Sequence, residues 1–216
     1  MTDHESKRIA AIVMASGFSR RMGRNKLFLP LDEGVVIERV LDQIGKIGYV
    51  AVVVVSQYDQ VLAYARERGF WPVANDRAAD GKSSSIRLGV ETLESLAGNG
   101  EIDPPAGIAF FTGDQLLLSD QLLRVLKETF SAHPDRIIFP AYDGKPGSPA
   151  IFPIDMVFRL KRLEGEEGGM KAAFEQEERI LAVPAEPSWQ GMDFDTLEEW
   201  EKVKEIRTIA DRSEKT

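Results

Sequence analysis

Three short runs of this 216-residue chain are apolar at almost every position: residues 9–14, 49–55 and 107–112. A strand covered on one face alternates apolar and polar side chains, so runs like these belong to strands covered on both. Helical spacing appears between them. Val36, Ile37, Val40, Leu41 and Ile44 share one helical face, residues 57–68 read as a helix stopped by Gly69, and residues 83–96 as one ending near Gly98. Ser119 caps a helix to about Phe130, residues 155–163 are helical, and Thr196 caps a final amphipathic helix. Shorter strands are expected at 70–74, 136–140, 150–153 and 180–183. The alternation predicts an α/β fold with a mostly parallel sheet and right-handed crossovers. We expect one domain over 1–216, with an ordered core of about 8–209, a frayed tail at 211–216 and a flexible acidic-glycine loop at 165–169.

Composition closes off several functions. With no cysteine, disulfides, thiolate metal sites and cysteine nucleophiles are excluded. His4 lies on a polar tail and His133 beside Pro134, which argues against a histidine triad or zinc site. A net charge of −8 disfavours nonspecific nucleic-acid binding. No run reaches membrane-span length, and residues 1–7 lack a signal-peptide core, so a cytoplasmic protein is expected.

Against that acidic background one basic stretch stands out. The strand ending at Met14 runs into Ala15-Ser16-Gly17-Phe18-Ser19, and Arg20, Arg21, Arg24 and Lys26 follow within seven residues. Small residues let a backbone approach a ligand, and loop amides with nearby cations suit phosphate oxygens. The segment reads as a phosphate cradle at the carboxyl end of a first strand. It is neither a Walker loop, because Gly23 leads to Arg24-Asn25-Lys26, nor a dinucleotide fingerprint, because Gly17 leads to Phe18-Ser19.

Four other segments carry chemistry-bearing side chains. Thr112-Gly113-Asp114-Gln115 ends a strand in one carboxylate, a place to hold Mg²⁺ or simply to cap a helix. Asp193 and Asp195 flank Phe194, so in an extended chain both carboxylates face one side; Asp195-Thr196 with Glu198-Glu199 is equally a helix start. Ser83-Ser84-Ser85 sits at an expected helix amino terminus, where one serine is explained by capping and three are not. Residues 140–152 contain Gly144-Lys145-Pro146-Gly147-Ser148-Pro149, either a ligand-facing segment or a plain hairpin.

Met14-Ala15-Ser16-Gly17 through Lys26 resembles the L-A-A-G-x-S-x-R-M-G-x-x-K loop of nucleotidyltransferases built on a glycosyltransferase-A-type domain. Within them the chain is most similar to the molybdenum-cofactor cytidylyltransferases, in order from Ile9 to about Val203. The resemblance implies a three-layer, Rossmann-like fold of the nucleotide-diphospho-sugar transferase type. It implies transfer of CMP from CTP to a phosphorylated pterin-type acceptor, the molybdenum cofactor, with Mg²⁺ and release of pyrophosphate. Arg21, Lys26 and Asp114 would be catalytic. Ala15, Ser16, Gly17, Lys26, Ser83, Ser84, Ser85 and Gly113 would bind the nucleotide. Gly147, Ser148, Pro149 and Lys171 would meet the acceptor, while Asp114, Asp195 and Asp193 would hold the metal. Arg20 and Arg24 are left to solvent. The chain departs from the pattern at Ser16 for Ala, at Leu116 and Leu197 for Pro, at Glu199-Trp200 for Asp-Tyr and at Ser148 for His. Two other readings stay open: a guanylyltransferase or other nucleotidyltransferase of a phosphorylated acceptor, and a non-catalytic cofactor chaperone for a molybdenum-enzyme client.

Overall fold

A computed structural model describes residues 8–213. The first buried run is strand β1 (Ile9–Met14), and the chain then makes a small hairpin, β2 (Pro30–Leu31) and β3 (Gly34–Val35). Helix α1 (Val36–Gly45) leads to β4 (Val52–Ser56), and α2 (Asp59–Glu67) leads to β5 (Trp71–Ala74). Helix α3 (Lys82–Gly98) then returns across the sheet to β6 (Gly107–Thr112). After α4 (Asp120–Ala132) come β7 (Ile137–Tyr142), β8 (Lys145–Pro146) and β9 (Ala150–Pro153). The chain ends with α5 (Val157–Lys161), α6 (Gly169–Phe174), β10 (Ile180–Pro184) and α7 (Leu197–Ser213).

The main sheet runs β10-β7-β9-β6-β1-β4-β5, with β8 paired to β7. All its pairings are parallel except those of β9 with β6 and β7 and of β8 with β7. Alternate residues of each strand feed two cores. Ile9, Ala11 and Val13 pack with Ile37, Leu41, Phe111, Phe130 and Trp200 on one face. Ala10 and Ile12 pack with Ile86, Val90, Phe110 and Leu160 on the other. This double cover is what the unbroken apolar runs required, and it gives the expected three-layer α/β fold.

From β1 the chain winds outward through β4 to β5, then crosses back to lay β6 on the other side of β1. Ligands of open α/β sheets bind outside the carboxyl ends of the strands at such a reversal. Met14 pairs with Thr112 there, so the loops following both strands start side by side.

Some elements differ from the sequence expectation. The strand expected at 49–55 is β4, Val52–Ser56; Tyr49 instead packs edge-on against Phe111, 5.9 Å between ring centres. The helix expected at 155–163 splits into a 3₁₀ turn, Ile154–Met156, and α5. The loop at 165–169 meets the start of α3, where Gly165 O accepts from the Ser83 amide at 3.1 Å; just before it Leu163 O accepts from Arg87 Nη1 at 3.1 Å. Helix α6 and the β2–β3 hairpin carry too few residues for a periodic signal. Helix α7 continues to Ser213, past the expected order limit at 209; residues 1–7, with His4, and 214–216 lie outside the described residues. No helix among the described residues is long and apolar enough to cross a membrane.

Candidate active site

The loop after β1 is held from behind by the three residues that end and follow β4. Ser56 Oγ donates to Ala15 O at 2.8 Å, Gln57 Nε2 to Ser16 O at 2.6 Å and the Tyr58 hydroxyl to Gly17 O at 2.9 Å. Burial pushes the Tyr58 phenol up, which keeps it a donor. With its carbonyls occupied, the loop presents its amides, and those of Ser16 and Gly17 have no partner among the described residues. Gly113 backs this loop closely. A Cβ there would lie 3.1 Å from that of Ala15 and 3.0 Å from Ile37 Cδ1, so a side chain would push the two strand ends apart.

Past the loop, Ser19 takes a left-handed conformation, φ 48°, and its Oγ accepts from the Lys26 amide at 3.1 Å. Asn25 Oδ1 accepts from the Leu27 amide at 3.1 Å, starting the 3₁₀ turn that carries Lys26. These contacts fix the lysine backbone and aim its side chain across the sheet ends. Its ammonium pairs closely with Asp114 and lies 3.2 Å from Asp193 Oδ1 and 3.2 Å from Asp195 Oδ1. It also donates to Phe194 O at 3.4 Å. Burial opposes the charge of Lys26, but Asp114, then Asp193 and Asp195, outweigh it and hold the group above the ordinary lysine value of 10.5. A cation stabilised in this way is lost only as pH rises through that higher value, so Lys26 is charged throughout the neutral range. Arg21, largely exposed, reaches Asp195 Oδ2 at 2.6 Å. Arg24 is exposed, as expected; the side chain of Arg20 lies outside what the structure describes.

The segment carrying Asp193 and Asp195 is anchored by Phe194, buried against Trp200 at 5.1 Å between ring centres. The alternation expected from sequence is therefore realised, with both carboxylates on Lys26 and the ring inward. The helix start that competes for these residues is built by others. Thr196 Oγ1 accepts from the Glu199 amide at 3.2 Å, and Glu199 Oε2 accepts from the amides of Asp195 and Thr196 at 2.8 and 2.9 Å. The carboxylate of Asp195 is left for the cations.

Ala15, Ser16, Gly17, Arg21, Lys26, Ser85, Gly113, Asp114, Asp193 and Asp195 line one cavity of about 340 Å³. Ser83 and Ser84 lie behind its wall, fully buried. Asn75, at the carboxyl end of β5, directs its Nδ2 at Ser16, Ser84 and Ser85 Oγ, at 3.2, 3.0 and 3.1 Å. The Ser84 and Ser85 hydroxyls thus join α3, through Asn75, to the loop after β1.

Gly147, Ser148 and Pro149 stand outside that lining. Asp143 and Gly144 turn the β7–β8 hairpin with φ 48° and 76°, as expected of an Asp-Gly turn. Tyr142 joins the hairpin to Gly191, two residues before Asp193. Its ring touches Gly147 and Gly191, where a Cβ would come within 2.6 and 2.4 Å, and its hydroxyl donates to Ser148 O at 2.9 Å. Lys171 is not brought to the site; it pairs with Glu167 beside a separate cavity lined also by Phe158, Arg159 and Arg162. In its place the acidic loop contributes Glu166, and the start of α3 contributes Lys82, to the main cavity.

Sequence reasoning missed Ser56, Gln57, Tyr58, Asn75 and Tyr142. The first four stand at carboxyl ends of strands on the reversal side, a position that is itself a signal.

The chain matches the model of the MobA-like NTP transferase domain over residues 11–180. A relative from Natranaerobius thermophilus, named a probable molybdenum cofactor guanylyltransferase, is 31% identical over 144 residues, 67% of this chain and 63% of that one. The match thus spans less than two thirds of that relative's length. Among solved structures, a nucleotidyl transferase from Methanothermobacter superimposes with a TM-score of 0.76 at 21% identity, covering 93% of this chain and 99% of the other. The molybdopterin-guanine dinucleotide biosynthesis protein A of Archaeoglobus fulgidus gives 0.67 at 15%, covering 92% and 98%. These two likenesses establish the shared fold, and the domain match goes further: this chain belongs to the MobA-like NTP transferase family.

Proposed function

We propose that the protein transfers CMP from CTP to the phosphate of a molybdopterin-type acceptor and releases pyrophosphate. The observation that carries this reading is the meeting of Lys26 with Asp114, Asp193 and Asp195 beside the Ser16 and Gly17 amides, which have no partner among the described residues. On this reading Arg21 and Lys26 would hold the β- and γ-phosphates and stabilise the charge that grows as pyrophosphate leaves. The Ser16 and Gly17 amides would orient the rest of the donor. A phosphate acceptor is already anionic near neutral pH, so no protein base is required.

Mg²⁺ would be held by Asp114 and Asp195, with Asp193 beside them. These carboxylates converge on a stand-in cation, the Lys26 ammonium. No three His, Cys, Asp or Glu side chains among the described residues are arranged to hold a metal on their own. Mg²⁺ commonly takes one or two carboxylates and completes its shell with substrate phosphates and water. When bound, it would neutralise phosphate charge.

A second donor, GTP, is favoured by the relative named a guanylyltransferase. Pyrophosphate release by the purified chain with Mg²⁺, molybdenum cofactor and each of CTP, GTP, ATP and UTP decides between them. CTP-dependent release is the expected result and GTP-only release would establish the second reading. Cofactor binding with no release from any nucleotide would overturn both in favour of a non-catalytic carrier.

A further inference from the structure

Lys26 sits where three carboxylates converge. Its ammonium is surrounded by oxygens from two separate parts of the chain: Asp114 after β6, and Asp193, Phe194 O and Asp195 before α7. A divalent ion of the oxygen-seeking kind keeps the same company. Arg21 adds a second positive charge on Asp195. Three carboxylates against two cations leave a formal charge of −1 (−3 + 2), a weak attractor for a divalent ion that must also displace an ammonium.

The lysine is built to move without its backbone. Ser19 and Asn25 hold the main chain of its turn, while the side chain is a flexible four-carbon stem. Lys26, Ser19, Arg21 and the Ala15–Gly17 loop line one cavity, so phosphates seated on the Ser16 and Gly17 amides would lie within the reach of that stem.

Resting on the nucleotidyltransferase reading, we infer that Lys26 is the resident cation of the Asp114–Asp193–Asp195 cluster and leaves it for the triphosphate. The protein then takes up a divalent ion tightly only together with a nucleotide. A metal ion arriving alone finds its carboxylates engaged, and an incoming triphosphate draws the ammonium away while bringing phosphate ligands of its own.

The test uses Mn²⁺ alone, its free concentration read by electron paramagnetic resonance on the nucleotide-free full chain. Lys26→Gln is expected to bind Mn²⁺ roughly ten-fold or more tightly than the wild type, because an opposing charge has been removed. Lys26→Arg, which keeps the charge, should show no gain, and adding Asp195→Asn to Lys26→Gln should cancel it. If circular dichroism shows Lys26→Gln unfolded, Lys26→Gln with Asp193→Asn has one fewer unpaired carboxylate and retains Asp114 and Asp195. Equal Mn²⁺ affinity in the wild type and a folded glutamine variant overturns the proposal. Thermal shifts of the wild type with CTP and GTP judge the underlying reading separately: no nucleotide response sinks that reading, whatever Mn²⁺ does.

Discussion

The charged lining of the main cavity and the serine–asparagine cluster behind its wall use polar residues in opposite ways. In the lining Arg21, Lys26, Asp114, Asp193 and Asp195 meet at or near the surface, with side-chain exposures from 11% to 78%. Their partners are chiefly one another, and on the proposed reading a phosphate would replace a carboxylate and a metal ion a cation. In the cluster Ser83, Ser84, Ser85 and Asn75 are almost wholly buried, and all but Ser83 are joined in one hydrogen-bonded hub. A charge cluster that stays accessible is poised for exchange, whereas a buried neutral hub fixes geometry. The first should govern turnover and the second should govern folding and the placement of the loop.

The sharpest attempt to break this division is Asp114→Asn. The amide is close to isosteric, so the fold should survive with an unchanged circular dichroism spectrum. Transfer should fall by about 10³-fold or more, because the carboxylate proposed to hold the metal, which is also the closest partner of Lys26, loses its charge. Near wild-type pyrophosphate release would remove the carboxylate end from the chemistry. Arg21→Ala comes next. Its side chain is 78% exposed, so melting should not move, while kcat/KM for the nucleotide should drop roughly 10²-fold. An equal loss of stability would make Arg21 a structural residue.

How much of this was readable beforehand follows the same division. The fold was legible because doubly covered strands leave unbroken apolar runs, and both Ile9–Met14 and Gly107–Thr112 were read to the residue. The charged end was legible because charge on a strand-end loop has few structural uses: Arg21, Lys26, Asp114, Asp193 and Asp195 do come together. The serine end was only half legible. Three hydroxyls at a helix start look alike in sequence, yet Ser85 faces the cavity while Ser83 and Ser84 face inward. Helical phase sorts them, and the donor shared by Ser84 and Ser85 is Asn75, nine or ten positions away, whose importance comes from the end of β5 rather than from any local pattern. Lys171 shows the converse: a loosely spaced motif match carried a lysine to the far side of the loop that contributes Glu166 instead.

Asn75→Ala tests the hub directly. It leaves three serine hydroxyls without their common donor and the Arg77 amide without its acceptor at 3.0 Å. Loss of about 1–3 kcal/mol in unfolding free energy is expected from the stranded groups. Nucleotide KM should rise, because the cradle and α3 are no longer tied together, while kcat at saturation stays within a few-fold. A variant that unfolds at the wild-type denaturant midpoint would show that the hub does not hold the site.

The smallest expected effect lies at Ser83, and it separates a serine that binds nucleotide from one that only fills space. Its side chain is fully buried, its Oγ has no hydrogen-bond partner among the described residues, and it does not line the cavity. A buried hydroxyl without a partner costs stability, so Ser83→Ala should raise the unfolding free energy, by about 1 kcal/mol. Nucleotide affinity should be unchanged within error. Ser85→Ala, by contrast, removes a hydroxyl from the cavity wall and should weaken nucleotide binding by a few-fold, alongside its loss from the Asn75 hub. If Ser83→Ala weakens binding as much as Ser85→Ala, the inward hydroxyl reaches the ligand after all, and the buried end belongs to the chemistry as well as to the fold.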